Sequence, residues 1–280
     1  MTTFVNTPFG ALEGTEQDGV YRFLGVPFAE KPLGELRFRA PQMVRPWTET
    51  RQATGYEKDP MQANLVLGPE HYSEDCLYLN LWVPETTAKK LPVMVWVPGG
   101  AFATGGSGAV DPEGPSIYDC QQLAKDGGCI VVSISYRLNV FGFLNLSQFS
   151  SRFDDNIGMR DIIMALRWVQ EAIASFGGDP ENVTLVGESA GGEAISALLL
   201  IDEAKPYFHK AIIESNCFGS FYTQEEEREI CELYLQYAGL TADKAEGLLT
   251  LPYEKLIEAG RALDAYVAEH YTGRCSFCPV

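Results

Sequence analysis

The 280-residue sequence predicts an α/β protein organised on one mixed, mostly parallel central sheet. Three observations carry this. Leu91–Val97, residues 129–135 and Lys210–Glu214 have the apolar character of strands buried on both faces. Helical spacing between them, Ile117, Cys120, Leu123 and Ala124 first, calls for crossover connections and hence parallel pairing. Residues 183–192 read Val-Thr-Leu-Val-Gly-Glu-Ser-Ala-Gly-Gly, a short apolar strand, a turn and then small and aliphatic residues at helical spacing.

Composition bounds the possibilities. With 46% hydrophobic residues the chain can bury a sizeable core. One domain is expected, with residues 1–222 as an α/β core and 223–280 as a helical cap segment of the same domain. No window holds eighteen uninterrupted apolar residues, and Met-Thr-Thr-Phe-Val-Asn-Thr-Pro is not an export signal, so a cytoplasmic protein without a membrane partner is expected. The charge of −17, from 38 acidic and 21 basic residues, comes without any Lys/Arg cluster, which argues against nucleic acid as a partner. Seven scattered cysteines are not a disulfide framework. Cys275 and Cys278 form a C-x-x-C with no second pair, too little for a zinc site.

Along the chain, residues 9–13 and 20–24 read as strands, and 25–47, with Pro27, Pro32, Pro41 and Pro46 among aromatics, as an extended segment wrapped over the body. Residues 77–83 alternate into a strand. Residues 159–176 carry Ile162, Ile163, Leu166, Val169, Ile173 and Phe176 on one helix face, stopped by Gly177-Gly178 and an Asp179-Pro180 turn. From Thr223 amphipathic helices take over. Residues 224–238 turn Ile230, Leu233, Tyr234 and Tyr237 inward and Glu225, Glu226, Glu227 and Glu229 outward or onto the first turn, and 252–271 form a second helix.

Gly187, Ser189 and Gly191 form G-x-S-x-G at the strand-to-helix turn, where glycines permit a tight bend that pushes the hydroxyl out as a nucleophile. Acyl transfer also needs amide donors for the oxyanion, a base and an acid that orients the base. Pro98-Gly99-Gly100-Ala101 follows the Leu91–Val97 strand. Since Pro98 has no N–H, Gly100 and Ala101 are the expected loop donors, with Ala190 as the third. Gly105 to Gly108 lacks the Lys and the following helix that a phosphate cradle needs.

These motifs are long. Gly-Glu-Ser-Ala-Gly-Gly (187–192), Glu-Asp-Cys-Leu-Tyr-Leu-Asn (74–80), Phe-Gly-Gly-Asp-Pro-Glu-Asn-Val-Thr (176–184), Tyr-Arg-Leu-Asn-Val-Phe-Gly-Phe-Leu (136–144) and residues 23–38 resemble the type-B carboxylesterase family, relatives of the cholinesterases, essentially end to end. The resemblance implies an α/β-hydrolase fold and hydrolysis of small carboxylic esters without metal or cofactor. No cysteine upstream of Cys76 offers it a partner, so the chain is more similar to the bacterial p-nitrobenzyl esterases than to secreted animal members. It departs from the family at Pro98, where many members carry His or Tyr, and at Ala101, where some carry Gly.

The expected triad order is Ser, acid, His, with both partners well downstream of the cap, whereas residues 276–280 resemble only the start of the next strand. His71 precedes the serine, His209 caps a strand, and His270 with Asp264 sits on one cap helix. The triad acid and histidine are therefore expected to be missing, with Glu188 supporting the pocket and Gly99 the elbow, and the 280 residues alone are expected to be close to inactive. The competing reading is a non-catalytic esterase-like module for binding or adhesion.

Overall fold

A computed structural model describes residues 2–62, 68–108, 118–216, 222–271 and 273–279. Its strands are β1 (Thr2–Thr7), β2 (Gly10–Gln17), β3 (Val20–Pro27), β4 (Arg51–Gln52), β5 (Asp59–Pro60), β6 (Tyr72–Ser73), β7 (Tyr78–Pro84), β8 (Leu91–Val97), β9 (Ile130–Ile134), β10 (Gly178–Glu188) and β11 (Lys210–Glu214). The helices are α1 (Gln121–Gly127), α2 (Asn139–Phe143), α3 (Ile157–Ala172), α4 (Ala190–Leu198), α5 (Gln224–Tyr237) and α6 (Tyr253–His270).

The large sheet runs β1-β2-β3-β7-β9-β8-β10-β11, with β4 beside β2. It is mixed as expected but not mostly parallel, because the N-terminal meander adds an antiparallel half. Along this path from β1 to β9 every neighbour is antiparallel, whereas the short β4 lies parallel to β2. From β9 through β8 and β10 to β11 every neighbour is parallel. The parallel half arises because α1, α3 and α4 each return the chain to the same end of the sheet. The N-terminal meander was partly hidden in the sequence. β1 pairs with β2 through a turn at Pro8-Phe9, where the Thr7 hydroxyl accepts from the N–H groups of Phe9 and Gly10 at 3.2 Å each.

β9 is buried at every residue, whereas β8 alternates fully buried with less buried positions. The expected helix over 159–176 is α3 plus a 3₁₀ turn, Ile173–Phe176, closed by Gly177 at φ 85°. Asp179 and Pro180 do not form a turn but lie in an irregular first part of β10, where the register to β8 shifts. Residues 116 and 117 fall outside the described residues, and α1 begins only at Gln121, with Leu123 exposed and Ala124 buried.

β11 is the main correction. Expected as a buried strand, it is the outermost strand of the sheet, with Lys210, Ala211, Ile212 and Glu214 exposed. Two apolar residues, Ile212 and Ile213, mark it as a strand but do not decide whether anything packs outside it.

The tail helices belong to the same apolar cluster as the sheet. Ile230, Tyr234, Leu256, Leu263 and Val267 join it alongside Val95 and Leu166. Tyr237 is exposed, and Cys231 and Leu235 face inward in its place. Glu227 also points inward, where Asn145 donates its backbone N–H (3.1 Å) and Nδ2 (3.4 Å) to the carboxylate. Its burial pushes the carboxyl up to about 7, opposed by those bonds. Arg37 ties the tail down. It pairs with Glu74 and donates to the carbonyls of Leu248, Leu249 and Leu251, the last at 2.7 Å.

Candidate active site

β10 ends at Glu188 and α4 begins at Ala190, so Ser189 alone makes the connection. Its backbone lies at φ 55°, ψ −123°. Such a conformation persists only where the surroundings over-determine it. Here they do. The Ser189 N–H donates to the Glu214 carbonyl of β11 at 2.9 Å, and the Ser189 carbonyl accepts from the Glu193 N–H at 2.9 Å.

The three glycines that the sequence singles out around the serine are steric necessities. A Cβ on Gly187 would stand 2.7 Å from the Gly191 carbonyl carbon, one on Gly191 2.1 Å from the Val97 oxygen, and one on Gly99 2.5 Å from the Glu188 oxygen. The same position on Gly99 is 3.3 Å from the Ser189 Cβ, which sets the loop after β8 directly against the serine. Ser189 itself is half-buried, Ala190 is buried and Glu188 is exposed. Burial and, after it, the Glu188 carboxylate push the Tyr118 phenol upward.

That loop is a strained turn. Gly100 sits at φ 118°, Ala101 at 54° and Phe102 at 55°, so two consecutive side-chain-bearing residues occupy the left-handed region. The Gly100 carbonyl accepts from the N–H groups of Ala103 (3.0 Å) and Thr104 (2.9 Å). The Gly100 and Ala101 N–H groups have no acceptor among the described residues. Ala190 opens α4, where an N–H has no partner within its own helix.

The strain is held by residues whose roles were not legible in the sequence. Phe102 is 1% exposed, its ring centroid lies 4.5 Å from that of Phe143, and its carbonyl accepts from the Asn139 N–H at 2.7 Å. The Tyr136 hydroxyl donates to the Pro98 carbonyl at 2.6 Å. Gln62 bonds both backbone groups of Gly105. Asn80 donates to the Ser107 hydroxyl at 3.1 Å, and the Ser107 and Ser135 hydroxyls are 2.7 Å apart. Beneath them the Gly108 N–H donates to Asp59, whose carboxyl burial lifts to about 6 against that bond. Arg137 and Asp161 form a buried two-pronged pair at 2.8 and 2.6 Å behind the loop. Asn80, Tyr136, Arg137 and Asn139 all lie within the quoted motifs, so the signal was present, but nothing in the chain order says what each side chain touches.

The histidines lie elsewhere. His71 is exposed and faces Glu70 at 3.7 Å. His209 accepts the Val183 N–H at Nδ1 (3.2 Å), midway along β10 and six residues before Ser189. Six strand residues span roughly 20 Å. His270 is exposed, its Nδ1 bonds the Tyr266 carbonyl at 2.8 Å, and its ring stacks on Tyr266 at 4.0 Å. Asp264 borders a cleft beside Ala101 and Ala103. Cys275 and Cys278 are free thiols, and burial pushes that of Cys278 upward.

A strand-serine-helix elbow against a glycine loop that ends a parallel strand is the arrangement of an α/β-hydrolase. The sequence matches the carboxylesterase family over residues 1–280. The chain belongs to the carboxylesterase family. It is 41% identical over 264 residues to the para-nitrobenzyl esterase of Bacillus subtilis (strain 168), an alignment covering 92% of this chain and 53% of that protein. It is 37% identical over 262 residues to the phenmedipham hydrolase of Pseudarthrobacter oxydans, covering 90% and 50%. A solved PNB esterase superposes on it with a TM-score of 0.90 at 39% identity, covering all of this chain and 57% of the other. The chain thus spans about half the length of the relatives it matches. No helix of the described residues is long and apolar enough to cross a membrane.

Proposed function

We propose that the chain is the nucleophile-bearing part of a serine carboxylesterase acting on small-molecule esters. The Ser189 hydroxyl attacks the ester carbonyl. The N–H groups of Gly100, Ala101 and Ala190 receive the developing oxyanion, the alcohol departs, and water then cleaves the acyl-Ser189 ester. Gly99, Gly187 and Gly191 keep elbow and loop at contact distance, and Glu188 supports the pocket rim. The observation that carries this reading is the strained Ser189 backbone with Gly99 packed against its Cβ. A pure binding module has no use for either feature.

None of the three histidines has a contact with Ser189, so in this reading the base and its orienting acid come from polypeptide outside the 280 residues. Loss of the base from a serine triad costs on the order of a millionfold in turnover in a protease series. The 280 residues alone are therefore expected to hydrolyse p-nitrophenyl acetate at a rate near background. The nucleophile is tested with a fluorophosphonate probe in the presence of imidazole, which supplies a base from solution, and the adduct is located by peptide mass spectrometry. An adduct on Ser189 that disappears in Ser189→Ala is expected. An adduct that persists in that variant would overturn the assignment, and rapid turnover by the 280 residues would overturn the claim about the base.

A further inference from the structure

The loop that packs against Ser189 through Gly99 also forms, with Ala101 and Ala103, one wall of a cleft of about 160 Å³ whose other wall is α6 with residues 274–277. That is room for roughly five waters at 30 Å³ each, or for a chain of four or five carbons. Small side chains on the loop wall leave the space open, and Phe277, 1% exposed, forms an apolar floor. On α6, Asp264, Val267 and Ala268 stand at i, i+3 and i+4, so one helix face presents all three to the cleft.

The charges of the cleft do not cancel. Arg274 is already engaged: it donates to Glu226 at 2.7 Å and lies 5.2 Å over the Tyr222 ring. Asp264 has a neutral partner, the Ser276 hydroxyl, and no ion pair among the described residues. Among the described residues that line the cleft, its half-buried carboxylate is therefore the one formal charge without a counter-charge. Burial pushes its carboxyl upward, a penalty that a bound cation would relieve.

We propose that this cleft is a specificity subsite in which Asp264 recognises a protonated amino group carried by the ester substrate. The inference rests on the esterase reading for the nature of the substrate, but the subsite can be measured without turnover. An ammonium group there gains a charge-assisted hydrogen bond while its alkyl chain covers Phe277. A neutral ester of the same length gains only the second.

The test is a ¹⁵N–¹H NMR titration of the whole 280-residue chain at neutral pH with n-butylammonium and, separately, with 1-pentanol. Butylammonium is expected to shift the amides of Ala101, Ala103 and Val267 and to bind about tenfold more tightly than pentanol, a difference of about 1.4 kcal/mol. Asp264→Asn should remove that preference, and Asp264→Glu should keep most of it. Equal affinities in the unaltered chain, an unchanged preference in Asp264→Asn, or shifts confined to another surface would each overturn the subsite. Fluorophosphonate labelling of the same samples separates the two claims. Equal affinities in the unaltered chain with Ser189 still labelled defeat only the subsite, whereas an adduct persisting in Ser189→Ala defeats only the nucleophile.

Discussion

Strand β10 carries the serine between two unlike neighbours. β8, on one side, ends in a loop whose Gly99 packs against Ser189 and Glu188 and whose backbone is gripped by Tyr136, Asn139, Gln62 and the Asn80–Ser107–Ser135 set. β11, on the other, offers the serine one carbonyl, that of Glu214, and is exposed except at the half-buried Ile213. The elbow is thus preorganised from the β8 side, where an oxyanion would be met without rearrangement. The β11 side adds a hydrogen bond but little packing. Substitutions on the two sides should differ accordingly.

The largest effect is expected behind the β8 loop. Asp161 is fully buried and takes three hydrogen bonds from Arg137, at 3.0 Å from the backbone N–H and 2.8 and 2.6 Å from the guanidinium. Asp161→Ala leaves a buried guanidinium without its counter-charge, which costs about 3–5 kcal/mol. Urea unfolding checks this, and a loss under 1 kcal/mol would mean that the loop does not depend on the pair.

Next come adjacent glycines of α4 that face opposite ways. A Cβ at Gly191 would stand 2.1 Å from the Val97 oxygen, in the backbone of the β8 side. One at Gly192 would be 3.1 Å from the Glu214 oxygen and 3.2 Å from the Asn216 Cβ, on the β11 side. Gly191→Ala should cost about 3 kcal/mol through overpacking and abolish fluorophosphonate labelling, and Gly192→Ala should cost under about 1 kcal/mol. Equal costs would remove the asymmetry.

Much of this was legible in the chain order. The serine elbow, the donor loop and most strands and helices of the core follow from periodicity and from glycine at fixed offsets. Three things did not. Ile212 and Ile213 say that β11 is a strand but not that its outer edge is bare. Glu227 reads as one more acidic residue at a helix start, yet its position one turn before Cys231 puts it on the buried face. The clamp from Tyr136 to Pro98 joins residues 38 positions apart, a distance over which a sequence carries no local signal.

A pH measurement sharpens the picture on the loop side. Burial raises the Asp59 carboxyl to about 6 from an ordinary 3.8. Because the raised value belongs to the folded state, that state holds the proton over the interval, and stability falls as pH rises from about 3.8 to about 6. Asp59→Asn, whose amide oxygen can still accept the Gly108 N–H, should remove that fall and gain about 3 kcal/mol relative to the parent above pH 6. Glu227, raised to about 7 in the tail, should retain its own decline between about 4.5 and 7 in the same variant. Unfolding midpoints at pH 4, 5, 6 and 7 separate the two contributions.

The smallest expected effect probes the two neighbours of β10 with substitution to one residue type. Val95 of β8 is fully buried, so Val95→Thr places a hydroxyl in apolar surroundings and should cost about 1–3 kcal/mol. Ile212 of β11 is 43% exposed on an edge strand, and Ile212→Thr keeps a β-branched residue while exchanging apolar for polar surface that water already reaches. Its change should stay within about 0.5 kcal/mol. A cost at Ile212 approaching that at Val95 would mean that this edge is covered in solution. The serine would then be braced from both sides rather than from the loop alone.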